Sequence, residues 1–239
     1  MTALLFDLDG VLTQTALVHN AAWKQTFDDF LKVWSEHHDQ PFVAFDSGRD
    51  YHEYVDGRPR ADGVRTFLAS RGIILPEGTP DDGPDAETVN GVGNRKNELV
   101  LQKIKEGAVQ VYPGSVEYLH AAKAAGLRRA VVSASANCAD VLQAAGIADL
   151  LEVRVDGITA REHKLPGKPA PDTFLYGAQL LDTLPENCAV FEDAQAGVAA
   201  GRAGKFGIVV GVDRVGQADA LREHGADIVV QDLSELLTR

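Results

Sequence analysis

Apolar positions along this chain change period several times, and the changes divide it into two textures. Near the start, Ala3-Leu4-Leu5-Phe6 is a continuous apolar run, read as a short buried strand over roughly residues 2 to 7. From Ala16 to Trp34 the spacing becomes mostly three and four residues, through Leu17, Ala21, Phe27, Leu31 and Trp34, which predicts an amphipathic helix or helical pair. A polar, glycine-bearing stretch from His37 to Asp50 follows, and helical spacing returns over Val64 to Arg71 and Glu87 to Ile104. Between those two segments, Leu75 to Asp85 carries Pro76, Gly78, Pro80, Gly83 and Pro84 and is expected to be a loop.

After Pro113 the texture alternates. Helical patterns over Ser115 to Ala125, Ala139 to Ala145, Asp172 to Leu181, Gly197 to Ala203 and Gln217 to His224 are separated by apolar runs. Those runs are Ala130 to Ser133, Leu150 to Val155, Ala189 to Phe191, Ile208 to Val210 and Asp227 to Val230. Short β-branched runs alternating with helices predict an α/β fold, a doubly wound parallel sheet covered on both faces. The first strand belongs to that sheet. The expected organisation is therefore a catalytic α/β core of residues 1–15 and 110–239, with a helical cap domain of residues 16–109 inserted after the first strand. An insertion at that point is expected to overhang the carboxyl ends of the strands, where such folds bind ligands.

Composition narrows the function. At 239 residues, 45% hydrophobic and 24% charged, the chain is long enough for sizeable cores and ordinary for a globular protein. A formal charge of −12 argues against nucleic-acid or anionic-membrane partners, which need clustered Lys and Arg. Any bound phosphate is then held by a few local cations or a metal. The two cysteines, Cys138 and Cys188, have no metal-type spacing and suit a reduced compartment. No apolar segment approaches the roughly 20 residues of a membrane span, and the start runs into a strand with no cleavable signal pattern. A cytoplasmic monomer acting on a small molecule is expected. Gly91-Val92-Gly93 lacks the third glycine and the preceding strand of a dinucleotide fingerprint.

The chemistry gathers at predicted strand ends. Asp7-Leu8-Asp9-Gly10 leaves the first strand with two carboxylates on one face, because strand side chains alternate, and Gly10 allows a sharp turn. The pair reads as a nucleophile plus a general acid/base. Ser133 closes a second run, where its hydroxyl and adjoining N–H groups can bind phosphoryl oxygens, although a turn role is the default for a serine there. Lys168 sits among prolines in Gly167-Lys168-Pro169-Ala170-Pro171-Asp172, suited to fixing a charge beside Asp7, with Asp172 able to cap the next helix. Glu192-Asp193 ends a third run. Acids so placed repel one another unless a cation lies between them, and an oxygen donor set suits Mg²⁺.

These four segments, in this order, resemble the haloacid dehalogenase superfamily over nearly the whole chain. Within it the chain is similar to the β-phosphoglucomutase-like family, through Asp7 to Thr15 with His19 and Trp23, Ser133 to Asn137, Lys168 to Asp172, and Glu192 to Gly197. The resemblance implies a Rossmann-like core and a Mg²⁺-dependent phosphotransferase acting on a phosphorylated sugar through an aspartyl phosphate. Asp7 is implied as nucleophile and Asp9 as general acid/base. Mg²⁺ is implied at the Asp7 carboxylate, the Asp9 carbonyl and Asp193, with Glu192 supporting the set. Ser133, Ala134, Asn137 and Lys168 are implied to hold the transferring phosphoryl group. In the cap, Arg60 would grip the second phosphate, and His19 with Lys96 would couple closure to protonation of Asp9. Trp23 would pack at the junction, or simply in the core of its helix. One departure stands out: Val55-Asp56-Gly57-Arg58-Pro59-Arg60 has an acid, Asp56, where the resemblance leads one to expect a lysine. A phosphatase of sugar phosphates or similar metabolites is the alternative. A phosphorylated receiver domain has no use for Asp9 or a cap of about 95 residues, and a metal-free dehalogenase has no use for the Glu192-Asp193 pair.

Overall fold

The computed structural model describes residues 1–107 and 109–237. Among them, six strands form one parallel sheet: β1 (Ala3–Phe6), β2 (Arg128–Val132), β3 (Val153–Val155), β4 (Cys188–Glu192), β5 (Ile208–Val212) and β6 (Ile228–Val230), in the spatial order β3-β2-β1-β4-β5-β6. The chain runs outward from β1 in one direction and, from β4, in the other. The reversal point therefore lies between β1 and β4, whose residues Phe6 and Phe191 are paired in register. In open parallel sheets the crevice at the carboxyl end of that junction is where ligands bind.

Alternation along β1 explains how both faces are covered. Ala3 and Leu5 join a buried cluster with Val132, Val155, Phe174, Val190, Val198 and Val209. That cluster packs α7 (Asp172–Leu180) and α8 (Gln195–Ala203) on one side. The opposite parity presents Phe6, stacked on Phe191 at 4.6 Å and edge-on to Tyr118 of α4 (Pro113–Ala124) at 6.2 Å. Together with α5 (Cys138–Ala145) and α9 (Ala218–Glu223), these elements give the doubly wound architecture expected from the alternating pattern.

By proximity the described residues divide into two compact units, 1–15 with 109 onward, and 16 to 107. The second is helical, with α1 (Thr15–His37, beginning one residue earlier), a π-helical turn at Tyr51–Val55, α2 (Arg60–Ser70) and α3 (Val89–Lys105). Its core is aromatic: Phe27 lies 4.2 Å from Phe67 and 5.3 Å from Phe45 between ring centroids, and stacks on Trp23 at 4.9 Å. Asp50, fully buried, accepts from Arg71 at 2.6 Å and from the Asp46 N–H at 3.0 Å, so its charge is paired inside the unit. None of the described helices is long and apolar enough to cross a membrane.

Several boundaries depart from the sequence pattern for identifiable reasons. The buried stripe of α1 runs through Ala22, Trp23, Phe27, Phe30 and Leu31, whereas Leu17 is 67% exposed, so the aromatic cluster sets the phase of the helix. Arg60 opens α2, four residues before Val64, its first buried hydrophobic side chain, and directly after Pro59. A short helix, α6 (Gly157–Glu162), buries none of its residues and so leaves no periodic signal; the Asp156 carboxylate starts it by accepting from the N–H groups of Ile158 and Thr159. The run at Leu150 to Val155 yields a strand only over its last three residues, after a 3₁₀ turn at Ala148–Leu150.

Leu5→Ala, at a fully buried position of the central strand, is expected to lower unfolding free energy by about 2–5 kcal/mol. Leu17→Ala, on the exposed face of α1, is expected to stay within about 0.5 kcal/mol. Urea denaturation followed by circular dichroism measures both.

Candidate active site

At the reversal point β1 ends at Phe6, and the Asp7 N–H still donates to the Phe191 carbonyl at 2.9 Å, which carries the ladder one residue past the strand. The chain then folds into a tight loop. The N–H groups of Leu12 and Thr13 return to the Leu8 carbonyl, and the Gly10 N–H reaches the Thr13 carbonyl at 2.8 Å. Regular strand pairing therefore stops before Asp9, which this loop positions. Thr15 fixes the Asp9 side chain by donating to its Oδ1, and Thr15 lies 2.6 Å from the Thr13 hydroxyl.

Gly10 adopts φ 87°, a left-handed conformation that glycine reaches at no steric cost. A second constraint excludes any other residue: a Cβ there would lie 1.7 Å from Asp193 Oδ2. The Asp193 carboxylate thus rests directly on the Gly10 backbone. Asp7, Glu192 and Asp193 are all buried, and each offers a carboxylate oxygen within 4.8 Å of the others.

Lys168 joins these acids. It precedes α7, which packs on the Ala3/Leu5 face, so strand parity turns Asp7 toward it. The lysine Nζ donates to Asp7 Oδ1 at 2.5 Å, to Glu192 Oε1 at 2.5 Å and to the Val132 carbonyl at 3.0 Å, which uses all three of its protons. The Nζ also lies 4.8 Å from the centre of the Phe174 ring. Burial works against the lysine charge, but the Asp7 and Glu192 carboxylates outweigh it and hold the ammonium above its ordinary pKa. Full burial raises the Glu192 carboxyl above the usual range; Lys168 opposes that shift and the Asp7 charge adds to it. Glu192 Oε2 accepts from the Ala194 N–H at 3.0 Å, and Gly197 of α8 leaves room for Glu192, since a Cβ there would fall 1.8 Å from Oε1.

The third side of the site is the turn after β2. Ser133 Oγ accepts the Ser135 N–H at 3.1 Å, and Ser135 Oγ accepts the Asn137 N–H at 3.1 Å, so two successive hydroxyl turns shape Ser133 to Asn137. The Ser133 hydroxyl still carries a proton to donate. Gly157 lets the turn pack closely, because a Cβ there would come within 2.7 Å of the Ala134 carbonyl. Asp172 proves to be the first residue of α7 and not its cap; Pro171 holds the cap position and the carboxylate sits in the first turn, favourable to the helix dipole.

Asp7, Lys168, Glu192 and Asp193 are thus brought together. Within the helical unit, Lys96, 5% exposed, lies 2.7 Å from His19 Nδ1 and 4.8 Å over the Trp23 ring. Burial lowers the His19 pKa, Lys96 lowers it further and Asp56 opposes both, so the imidazole is neutral and accepts from the ammonium. Trp23 is a member of the aromatic core. Arg60 lies along α3, where Gly93 makes room for its stem: a Cβ at Gly93 would meet Arg60 Cγ at 3.3 Å. Asp56 pairs with His52 Nδ1 at 3.1 Å. Thr15 closes the Asp7 to Thr15 segment in the sequence, but its role emerges only once the loop brings it back to Asp9.

The donor set fits a hard divalent cation. It consists of carboxylate oxygens with no sulfur or imidazole. A family model described as haloacid dehalogenase-like hydrolase matches residues 1–205. A β-phosphoglucomutase from Mycobacterium bovis is 56% identical over 238 residues, covering 98% of this chain and 91% of that protein. Another, from Bacillus subtilis, is 32% identical over 237 residues, covering 99% and 92%. The crystal structure of a β-phosphoglucomutase from Clostridium difficile superposes with a TM-score of 0.77 at 26% identity, covering 99% of this chain and 93% of that one. Strand-end acids bridged by a lysine at the sheet reversal, and similarity along almost the full length, place this chain in the haloacid dehalogenase-like hydrolase family, in the group that includes the β-phosphoglucomutases.

Proposed function

We propose that this protein is a Mg²⁺-dependent β-phosphoglucomutase, converting β-glucose 1-phosphate to glucose 6-phosphate through the 1,6-bisphosphate. One observation carries the reading: Asp7 and Asp193, at the ends of adjacent strands, offer oxygens close enough to share one ion beside a buried lysine. The 56% identity to the mycobacterial enzyme supports the choice of sugar.

Asp7, Asp193 and the Asp9 carbonyl would hold the ion, with Glu192 kept behind them by Lys168 and the Ala194 N–H. Bound there, Mg²⁺ would offset charge on the phosphoryl oxygens. Asp7 attacks phosphorus and becomes an aspartyl phosphate as the phosphorus–oxygen bond to the sugar breaks. Asp9 gives its proton to the departing sugar oxygen, and in the reverse sense removes the proton of the incoming hydroxyl. Phosphoryl transfer from Asp7 to the 6-hydroxyl of β-glucose 1-phosphate gives the bisphosphate. Transfer of its 1-phosphoryl group back to Asp7 releases glucose 6-phosphate.

Ser133, with the turn through Ala134 and Asn137, and Lys168 supply donors to the equatorial oxygens, where charge builds in the transition state. Their positive contribution is local, so it is compatible with a chain of net charge −12. The helical unit acts as the cap, with Arg60 recognising the second phosphate and the neutral His19, Lys96 and Trp23 group serving substrate recognition. We propose a cytoplasmic, monomeric enzyme.

Asp56 is the specific observation that favours a second reading, because an acid in that loop alters the charge offered to a phosphorylated sugar. The alternative is a sugar-phosphate phosphatase, in which water takes the place of the second hydroxyl. Incubation with β- and α-glucose 1-phosphate, Mg²⁺ and a trace of the bisphosphate distinguishes the two. Glucose 6-phosphate is expected from the β anomer, faster than inorganic phosphate is released; the opposite ratio assigns the phosphatase.

Asp7→Asn is expected to abolish turnover and phosphoprotein formation, and activity retained by that variant removes Asp7 from the covalent role. Asp9→Asn is expected to lower kcat by about 10²–10⁴ while metal binding persists, as read by steady-state kinetics beside a Mg²⁺ titration. Arg60→Ala is expected to impair the mutase reaction more than hydrolysis of p-nitrophenyl phosphate, and equal losses would exclude a role in phosphate recognition.

A further inference from the structure

The turn after β5 contributes nothing to the acidic cluster, yet it holds both loops that form it. Arg214 Nε donates to the Gly10 carbonyl at 2.9 Å and Nη2 reaches the Val11 carbonyl at 3.4 Å. Nη1 donates to the Gln231 carbonyl at 2.6 Å and to Asp232 Oδ2 at 3.2 Å. The guanidinium lies 3.5 Å over the Tyr112 ring, so both its edge and its face are fixed. Three residues on, Gln217 Nε2 donates to the main-chain carbonyl of Asp193 at 2.9 Å, and its Oε1 accepts from Gln195 at 3.2 Å. Asp213 makes the turn rigid, with Oδ1 accepting the N–H groups of Gly216 at 2.7 Å and Gln217 at 2.8 Å.

Gly10 and Asp193 are the two residues that touch where the loops meet. A single short turn therefore grips the carbonyl of each, on either side of their contact. We infer that Arg214 and Gln217 are positioning residues that set the spacing between the Asp7–Asp9 loop and Asp193, and through it the affinity of the cluster for a divalent ion. The inference rests on the metal-dependent function proposed above. It needs an arginine: the planar fork reaches two successive carbonyls while stacked on Tyr112, whereas a lysine offers a single ammonium without a stacking face. Partners behind metal ligands typically change affinity by about 10–100-fold when lost.

The test uses the full chain, stripped of metal, as wild type, Arg214→Lys, Gln217→Leu and Asp193→Ala. Mg²⁺ binding is measured by titration calorimetry, and loop order without metal by amide hydrogen exchange at Gly10 and Thr13, whose N–H groups close the loop. Wild type is expected to bind and Asp193→Ala to lose binding. Arg214→Lys and Gln217→Leu are expected to bind about 10–100-fold more weakly, with faster exchange at Gly10 and Thr13 in the arginine variant. A role in stability alone would lower Tm and leave the Mg²⁺ affinity unchanged, which overturns the inference. Should Arg214→Lys fail to fold, Gln217→Leu decides by its affinity. If wild type itself binds no Mg²⁺, the proposed function fails; unchanged exchange in the Arg214→Lys variant, with or without that failure, separately overturns the positioning role.

Discussion

The buried ammonium of Lys168 is the element on which the rest of the site depends. Two neighbouring strands would otherwise end in a concentration of buried carboxylates, a costly arrangement in a protein interior. A single cation that donates to Asp7, to Glu192 and to the end of β2 makes the cluster tolerable and gives each acid a fixed direction. Its three donors point to three different strand ends. The lysine is thus a crosslink of the sheet at its reversal point as well as a charge. The carboxylate oxygens gathered there are the donor type that a hard divalent cation prefers.

The two units handle charge in different ways. In the sheet unit, acids and one lysine converge, and the strand geometry fixes where each enters. In the helical unit the core is a set of stacked and tilted aromatic rings, with Asp50 neutralised by Arg71 within the same unit. Its buried lysine, Lys96, rests on the Trp23 ring and beside a neutral His19, so an aromatic face and an imidazole form part of its surroundings. The same kind of side chain, buried to a similar degree, is thereby prepared for different surroundings.

How much of this is legible in the sequence follows from the range of each interaction. The parallel sheet shows in the alternation of apolar runs and helical spacing, because burial on both faces leaves an uninterrupted signature. Asp7, Lys168, Glu192 and Asp193 could be singled out because strand ends collect a site in this architecture. Other features are silent. Helix α6 depends on one capping carboxylate and buries nothing, so no periodicity reports it. The register of α1 is decided by partners on other helices, which is why Leu17 faces outward despite its spacing. Arg214 bonds to Gly10 across 204 positions, and a solvated arginine and a buried one have the same letter.

Contact between Gly10 and the Asp193 carboxylate has one further consequence. The distance between the two loops is set by van der Waals touch and by carbonyls anchored from behind, so it does not wait for an ion to draw the loops together. A site spaced in this way would lose little conformational entropy on taking up an ion, and such preorganisation favours binding. The geometry of the cluster is thus built by the fold itself, in contrast to small domains whose folding is the act of binding metal.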